Sequence, residues 1–160
     1  PLDNSTQIGS LARIDLAEEL EIQVKKSIEM GAKLVCGGKR TEAFYEPTIL
    51  TNVSAEMPVF KEETFGPVVA ITAFKTLEEA IELSNTSEFG LGVSVFTQDI
   101  ETIKKHINSF NEGAVFINEM VKSDPRLPFG GIKKSGYGRE LSEDGIKEFV
   151  NVKTVVVSIL

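Results

Sequence analysis

The sequence predicts an α/β fold in which a parallel sheet is covered by helices, and three observations point there. From Val68 to Ile117, short apolar runs alternate with helix-forming stretches in the order strand, helix, strand, helix, strand. That order is the pattern of parallel strands joined by right-handed crossovers. Ahead of it, Leu16, Leu20, Val24 and Ile28 recur at every fourth position and give one apolar helical face. Finally, the 160 residues are 41% apolar. That is enough for one domain with a real core or for a piece of a larger one, and it argues against disorder.

Pro1 to Ser10 reads as an irregular lead-in. Asp15 then reads as an N-cap, with Glu18 as its capping-box partner, and Gly31 can take the left-handed conformation that ends the helix. Lys33 to Cys36 is a strand that turns at Gly37-Gly38, and residues 39–44 read as a loop. Tyr45 to Val53 holds a second extended piece in which Pro47 marks an edge or a start. Pro58 opens a short helix that carries Val59 and Phe60 inward and stops at Glu62-Glu63. Val68 to Phe74 is apolar enough for a strand covered on both faces. Thr76-Leu77-Glu78-Glu79 is a capping box for a helix to about Ser84, and Phe89 to Leu91 turns the chain into the strand Val93 to Thr97. Asp99 caps a helix with Ile100, Ile103, Ile107 and Phe110 on one face. Gly113 ends that helix, and Ala114 to Ile117 is the third strand. Ligands of such sheets gather at the C-terminal strand ends, where Asn118 lies. Glu119 to Tyr137 lacks periodicity, and a loop of that length is usually functional or disordered. Ser142 to Phe149 is a short helix. Val152 to Leu160 is a β-prone tail, apolar on both faces, which invites edge pairing.

Charge narrows the function. Lys+Arg 17 against Asp+Glu 24 leaves a net charge of −7, which disfavours nucleic acid and anionic membrane surfaces. No apolar run reaches the length of a membrane span. The start Pro1-Leu2-Asp3-Asn4 has neither Met nor a signal-peptide pattern. It suggests an excised or engineered fragment, with Met removal as the other source. The one Cys cannot form an internal disulfide and suits a cytoplasmic setting.

Lys61-Glu62-Glu63-Thr64-Phe65-Gly66-Pro67 places two carboxylates and a ring where a Gly-Pro pair stops the helix ahead of a strand. An ionised carboxylate there can accept from a ligand's hydroxyl pair, and the ring can lie on a flat heterocycle. The plainer reading is a solvated turn whose Phe65 plugs the core.

Glu62 to Pro67 resembles the E-E-x-F-G-P motif of the NAD(P)-dependent aldehyde dehydrogenases. Pro128-Phe129-Gly130-Gly131-Ile132-Lys133-Lys134-Ser135-Gly136-Tyr137-Gly138-Arg139-Glu140 resembles that family's P-F-G-G-x-K-x-S-G-x-G-R-E stretch. Tyr45-Glu46-Pro47-Thr48, Phe89-Gly90-Leu91-Gly92 and Val152-Lys153-Thr154-Val155 match in the same order. Together they resemble the C-terminal third of such an enzyme. The resemblance implies a catalytic-domain part over residues 1–150 and an oligomerisation strand over residues 151–160. It also implies NAD or NADP as cofactor, a small aldehyde as substrate and a homo-oligomer joined through the strand. Residue by residue, Glu63 would bond the nicotinamide ribose hydroxyls and Phe65 would pack near the nicotinamide. Phe129 would line the aldehyde tunnel, and Glu140 would belong to a proton relay. The family's nucleophilic Cys, general base, oxyanion-hole Asn and Rossmann domain lie upstream and have no match here. A non-catalytic binding or assembly module with the same fold is the alternative.

Lys122-Ser123-Asp124-Pro125-Arg126 resembles the bacterial succinate-semialdehyde dehydrogenase branch. Ser123 with a cation can hold a carboxylate by charge-assisted hydrogen bonds. Arg126 is the local cation, or it pairs with Asp124 and stiffens the loop. Cys36 lacks a basic neighbour or helix N-terminus that would activate it and reads as a small buried hydrophobe. His106, the one His, has no second His and no nearby Cys, so a metal site would have to be built from carboxylates alone, and it reads as lying near a solvated helix edge. Nothing around Ser84 or Ser94 resembles a nucleophile elbow. The glycines from Gly130 to Gly138 fit no phosphate-binding pattern and read as tight turns beside a pocket. Lys133, Lys134 and Arg139 read as solvated or as partners of Glu140 and Glu143.

Overall fold

A computed structural model describes residues 3–159 of the chain. Internal contacts divide the chain into two compact units, Pro1–Ala80 and Ile81–Leu160.

The first unit is built on helix α1 (Ile14–Glu29), which buries Ala17, Leu20, Val24 and Ser27. Leu16 and Ile28, expected at the centre of the apolar stripe, are only half-buried at its flank. Asp15 is not the N-cap. Arg13 holds that position in extended backbone without a side-chain cap bond, and its guanidinium is taken by Asp15 at 2.6 and 2.9 Å. Asp15 instead contributes negative charge to the first turn, where the helix dipole favours it. At the other end Gly31 has φ +111° and its N–H bonds Ile28 O at 2.9 Å, as a C-terminal glycine does.

Strands β1 (Lys33–Cys36), β2 (Arg40–Thr41), β3 (Phe44–Tyr45), β4 (Thr48–Thr51) and β5 (Val68–Ala70) follow, with α2 (Pro58–Lys61) before β5. β4 is central, antiparallel to β1 and parallel to β5. The expected loop at residues 39–44 is the hairpin β2–β3, and Arg40 ties it to α1 through Glu21 at 3.0 Å. Turn-and-charge composition reads as a loop; the long-range ion pair orders it. The predicted strand from Val68 to Phe74 is only three residues long, and Val69, Ile71 and Phe74 are exposed rather than covered. The core joins Leu20, Val24, Ala32, Tyr45, Leu50, Val53, Met57 and Val59. One buried hydroxyl works inside it: Ser27 Oγ donates to Gln23 O at 2.8 Å and accepts from Val59 N at 3.2 Å, fastening α2 to α1.

Helix α3 (Leu77–Thr86) opens on half of the expected capping box: Glu79 N donates to Thr76 Oγ1 at 3.2 Å, while the Glu79 carboxylate accepts from Lys75 N at 2.7 Å instead of from Thr76 N. In the second unit β6 (Phe89–Gly90) precedes β7 (Val93–Val95), α4 (Ile100–Lys105), β8 (Val115–Ile117), β9 (Ile132–Lys133) and α5 (Ser142–Lys147). Asp99 caps α4 through Thr102 N at 3.1 Å. The helix stops at His106, and Ile107–Ser109 continues as a 3₁₀ turn. β7 and β8 are parallel, as the alternation requires, whereas β6 and β9 are antiparallel. The single parallel sheet is therefore corrected to an α/β fold with mixed sheets. Residues 151–159 form no strand and are exposed; Leu160 of the predicted tail, like Pro1 and Leu2 of the lead-in, lies outside the described residues.

Candidate functional site

The acidic–aromatic motif begins where α2 ends. Glu62 caps that helix, its N–H bonding Pro58 O at 2.8 Å. Gln23 of α1 donates to the Glu62 carboxylate at 2.9 Å and lies 3.5 Å from Glu63 O. Farther on, a Cβ at Gly66 would stand 2.4 Å from Leu20 Cδ2, so the loop lies close against α1 here and a side chain would have to push the Leu20 tip aside. Thr48 N then bonds Pro67 O at 2.8 Å. The backbone is thus pinned on both sides of Glu63 and Phe65. Among the described residues the Glu63 carboxylate has no hydrogen-bond or ion-pair partner, and Phe65 is 70% exposed. Phe65 is no core plug; Leu20 fills that place against Gly66.

An apolar hollow of about 360 Å³ lies beside this loop, lined by Cys36, Pro47, Ile49, Gly66 and Val68 among others. Cys36 is exposed, which corrects the reading of a buried thiol. It sits at the bulged end of β1, a strand exposed along its whole length, so an apolar sequence context did not bring burial.

In the second unit the glycine-rich stretch is closed at its base by an antiparallel bridge. Phe129 N bonds Glu140 O at 2.9 Å, and Glu140 N bonds Phe129 O at 2.8 Å. The structure therefore brings Phe129 and Glu140 together. A cleft of about 330 Å³ runs along them, bounded by Tyr137, Arg139, Glu148 and Phe149. Phe129 also lines a second hollow of about 310 Å³ with Lys122, Asp124, Leu127 and Pro128.

Polar clamps shape this loop, and sequence reasoning missed them. Arg139 Nη1 donates to Gly131 O at 3.0 Å and Gly138 O at 2.7 Å. Lys133 Nζ donates to Asn85 O at 2.7 Å and Ser87 O at 2.8 Å, by the end of α3. Lys134 pairs with Glu88. None of the three cations meets Glu140 or Glu143 among the described residues, which corrects that expectation. The partners of the two lysines lie 46 or more residues away, so no local signal announced them.

In the loop after β8, Arg126 faces Asp124 through Nε at 2.9 Å and Nη2 at 2.6 Å, and its own N–H adds a third bond at 2.9 Å. These bonds hold the Asp124 carboxyl far below the usual carboxylate range, the side-chain bond first and the backbone bond second. Of the two roles open to Arg126, the stiffening pair with Asp124 is formed. Lys122 pairs with Glu119 at 3.0 Å, and Ser123 is exposed. Half-buried His106 ends α4. Ser84 donates to Glu112 and Ser94 accepts from Val121 N. Among the described residues no three His, Cys, Asp or Glu side chains gather where a metal ion could sit, and no helix is long and apolar enough to cross a membrane.

The profile described as the aldehyde dehydrogenase family matches residues 1–155. The NAD(P)+ succinate semialdehyde dehydrogenase Sad of Escherichia coli K12 is 48% identical over 158 residues, which cover 97% of this chain and 34% of that protein. The NADP(+) succinate-semialdehyde dehydrogenase 1 of Mycobacterium ulcerans is 45% identical over 160 residues, covering 98% of this chain and 35% of its own length. A solved succinate-semialdehyde dehydrogenase from Burkholderia pseudomallei superposes with a TM-score of 0.86 at 37% identity, over 92% of this chain and 31% of that one. The chain thus spans about a third of the length of the curated relatives it matches.

Proposed function

This chain belongs to the aldehyde dehydrogenase family, and from that premise we propose that it is the C-terminal part of an NAD(P)+-dependent enzyme oxidising succinate semialdehyde to succinate. Relatives at 45–48% identity carry that activity in their names, which supports the substrate class. In this chemistry a thiolate would add to the aldehyde carbon, bound NAD(P)+ would supply the hydride acceptor, and water would release the acid from the thioester. The thiol, the principal base, the oxyanion-hole Asn and the dinucleotide fold come from polypeptide outside these residues. Cys36 has no part in the reaction.

The observation that carries the reading is the pair Glu63 and Phe65, both exposed on a backbone fixed by Gln23, Leu20 and Thr48. An unpartnered carboxylate fits a ribose hydroxyl pair, and a bare ring fits the nicotinamide face. Phe129 lines the aldehyde tunnel, and Glu140 holds or passes a proton beside it. Ser123 bonds the substrate carboxylate, aided by the Nη1 edge of Arg126, which Asp124 leaves free. Residues 1–150 complete the catalytic domain in the cytoplasm. Residues 151–160 pair as a strand with another copy, which covers Val155, Val156 and Val157, all exposed here. Deleting that tail should reduce the assembly's mass in light scattering.

The deciding experiment assays the full-length parent with succinic semialdehyde against butanal. A strong preference for the acid aldehyde, and no NAD(P)H formation by the isolated 160-residue chain, are expected. Equal use of both aldehydes removes the substrate assignment. Turnover by the isolated chain removes the division of labour.

A further inference from the structure

The loop proposed to hold the substrate carboxylate is moored to β7, and the mooring uses residues with no assigned role. The chain leaves β8 at Asn118, whose φ of +55° is one that Asn tolerates. Its side chain grips Thr97 at both backbone groups, accepting from N at 2.7 Å and donating to O at 2.8 Å. Thr97 lies just beyond the end of β7. Three residues after Asn118 the chain meets β7 itself, where Val121 N donates to Ser94 Oγ at 3.0 Å. The Val121 side chain rests on the bare Cα of Gly92. A Cβ there would meet Cγ1 at 2.9 Å and Cγ2 at 3.1 Å. Gly92 lacks a positive φ, so packing against Val121, with Ala114 O at 3.4 Å behind it, and not backbone conformation, disfavours a side chain at this point. The Glu119–Lys122 pair spans the arch at 3.0 Å. Ser123 follows at once, between the mooring at Val121 and the Asp124–Arg126 clamp.

We infer that Gly92 and Ser94 are specificity-determining positioning residues: they seat Val121 and so hold Ser123 in place for the substrate's carboxylate. The inference rests on the proposed reading of this loop as the carboxylate site. A hydroxyl delivered by a wandering loop would bind the same anion more weakly, because ordering the loop would then be charged against binding. Neither residue touches the reacting carbon, so the effect falls on KM for acid aldehydes and spares kcat.

The test uses the full-length parent enzyme carrying Ser94→Ala, Ser94→Thr, Gly92→Ala, Val121→Ala or the double change Gly92→Ala with Val121→Ala. Each variant is assayed with succinic semialdehyde and butanal, and amide exchange is followed at residues 120–127. Ser94→Ala should raise KM for the acid aldehyde and speed exchange at Val121 about three- to tenfold, the effect of one ordinary hydrogen bond on an equilibrium. kcat and the butanal KM should hold, and Ser94→Thr, which keeps the hydroxyl, should restore both readouts. Gly92→Ala should act in the same direction. Its effect should be smaller on the Val121→Ala background, where the two γ-carbons are gone, a coupling that independent sites do not show. Unchanged exchange in Ser94→Ala, failed rescue by Ser94→Thr, or faster exchange with unaltered acid-aldehyde KM overturns the inference. If wild type shows no preference for the acid aldehyde, the substrate reading fails, and exchange at Val121 still decides the mooring by itself.

Discussion

The two compact units keep their shape by different means. In Pro1–Ala80 helix α1, the three-stranded sheet, the β2–β3 hairpin that carries Tyr45 and the short α2 close on a connected apolar core from Leu20 to Val59. In Ile81–Leu160 the buried large hydrophobics among the described residues are Ile81 and Ile103. There the irregular loops are held by side chains that satisfy backbone groups. Lys133 and Arg139 take carbonyls, Ser135 Oγ accepts from Gly90 N at 3.0 Å, and Asn118 grips Thr97. An irregular loop does not pair its own backbone in a ladder, so polar side chains do the pairing. The first unit is held chiefly by burial; the loops of the second are held chiefly by hydrogen bonds.

That contrast breaks if core and clamp respond alike to mutation. Leu50, fully buried at the centre of β4, should give the largest effect. Leu50→Ala should cost about 2–5 kcal/mol, lost contacts plus cavity, read as faster native-state exchange at Ile71, whose N–H bonds Leu50 O. A loss below about 1 kcal/mol would mean that the core relaxes freely and is no scaffold.

Arg139→Ala should come next. It strips a charged donor from two carbonyls, which costs about 1.5–3 kcal/mol for hydrogen bonds of this kind. The loss should be local. Exchange should quicken at Lys134 and Ser135, whose N–H groups bond Glu88 O and Ile132 O, and stay unchanged at Ile71. Equal quickening at Ile71 would show that the two units unfold as one and that the clamp is not a local device.

The same division explains what could be read from the chain. α1, the Pro58 helix start, the Asp99 cap and the parallel partners β7 and β8 follow from periodicity and capping chemistry, which act within a few residues. Asp15 is not the N-cap because the helix starts one residue before it, at Ile14, and its carboxylate is bonded to Arg13. Cys36 and Val69 look buried by composition, but exposure depends on what covers the strands β1 and β5, and local sequence does not encode a cover. The motif resemblance marked Glu63, Phe65, Phe129 and Glu140. It could not show that Phe65 is bare, nor that Phe129 and Glu140 share a two-bond bridge. The clamps Lys133, Lys134, Asn118 and Ser94 reach across 21 to 48 residues, beyond any spacing rule.

The smallest effect at neutral pH belongs to Tyr45, and it sharpens the picture of the first unit as a core made by burial. Its side chain is 0% exposed, yet its hydroxyl has no hydrogen-bond partner. The ring therefore contributes by burial, while the O–H is a desolvated group that gains nothing in return. Tyr45→Phe keeps the ring and removes the orphan, so urea unfolding at pH 7 should show stability unchanged or slightly raised. Alkaline pH separates the two proteins. Burial, then the charges of Glu21 and Glu46, push the phenol from 10.0 up to about 12. As pH rises past 10 the unfolded chain releases this proton while the folded chain keeps it. The folded state then holds more protons, and stability must fall with pH. The loss begins near the unfolded value and is complete once the folded value is passed. Wild type should thus weaken relative to Tyr45→Phe across that window, and the difference between the two curves removes every other group that titrates there. Parallel curves would show that the hydroxyl reaches water or a partner in solution, and that the centre of this core is wetter than its packing implies.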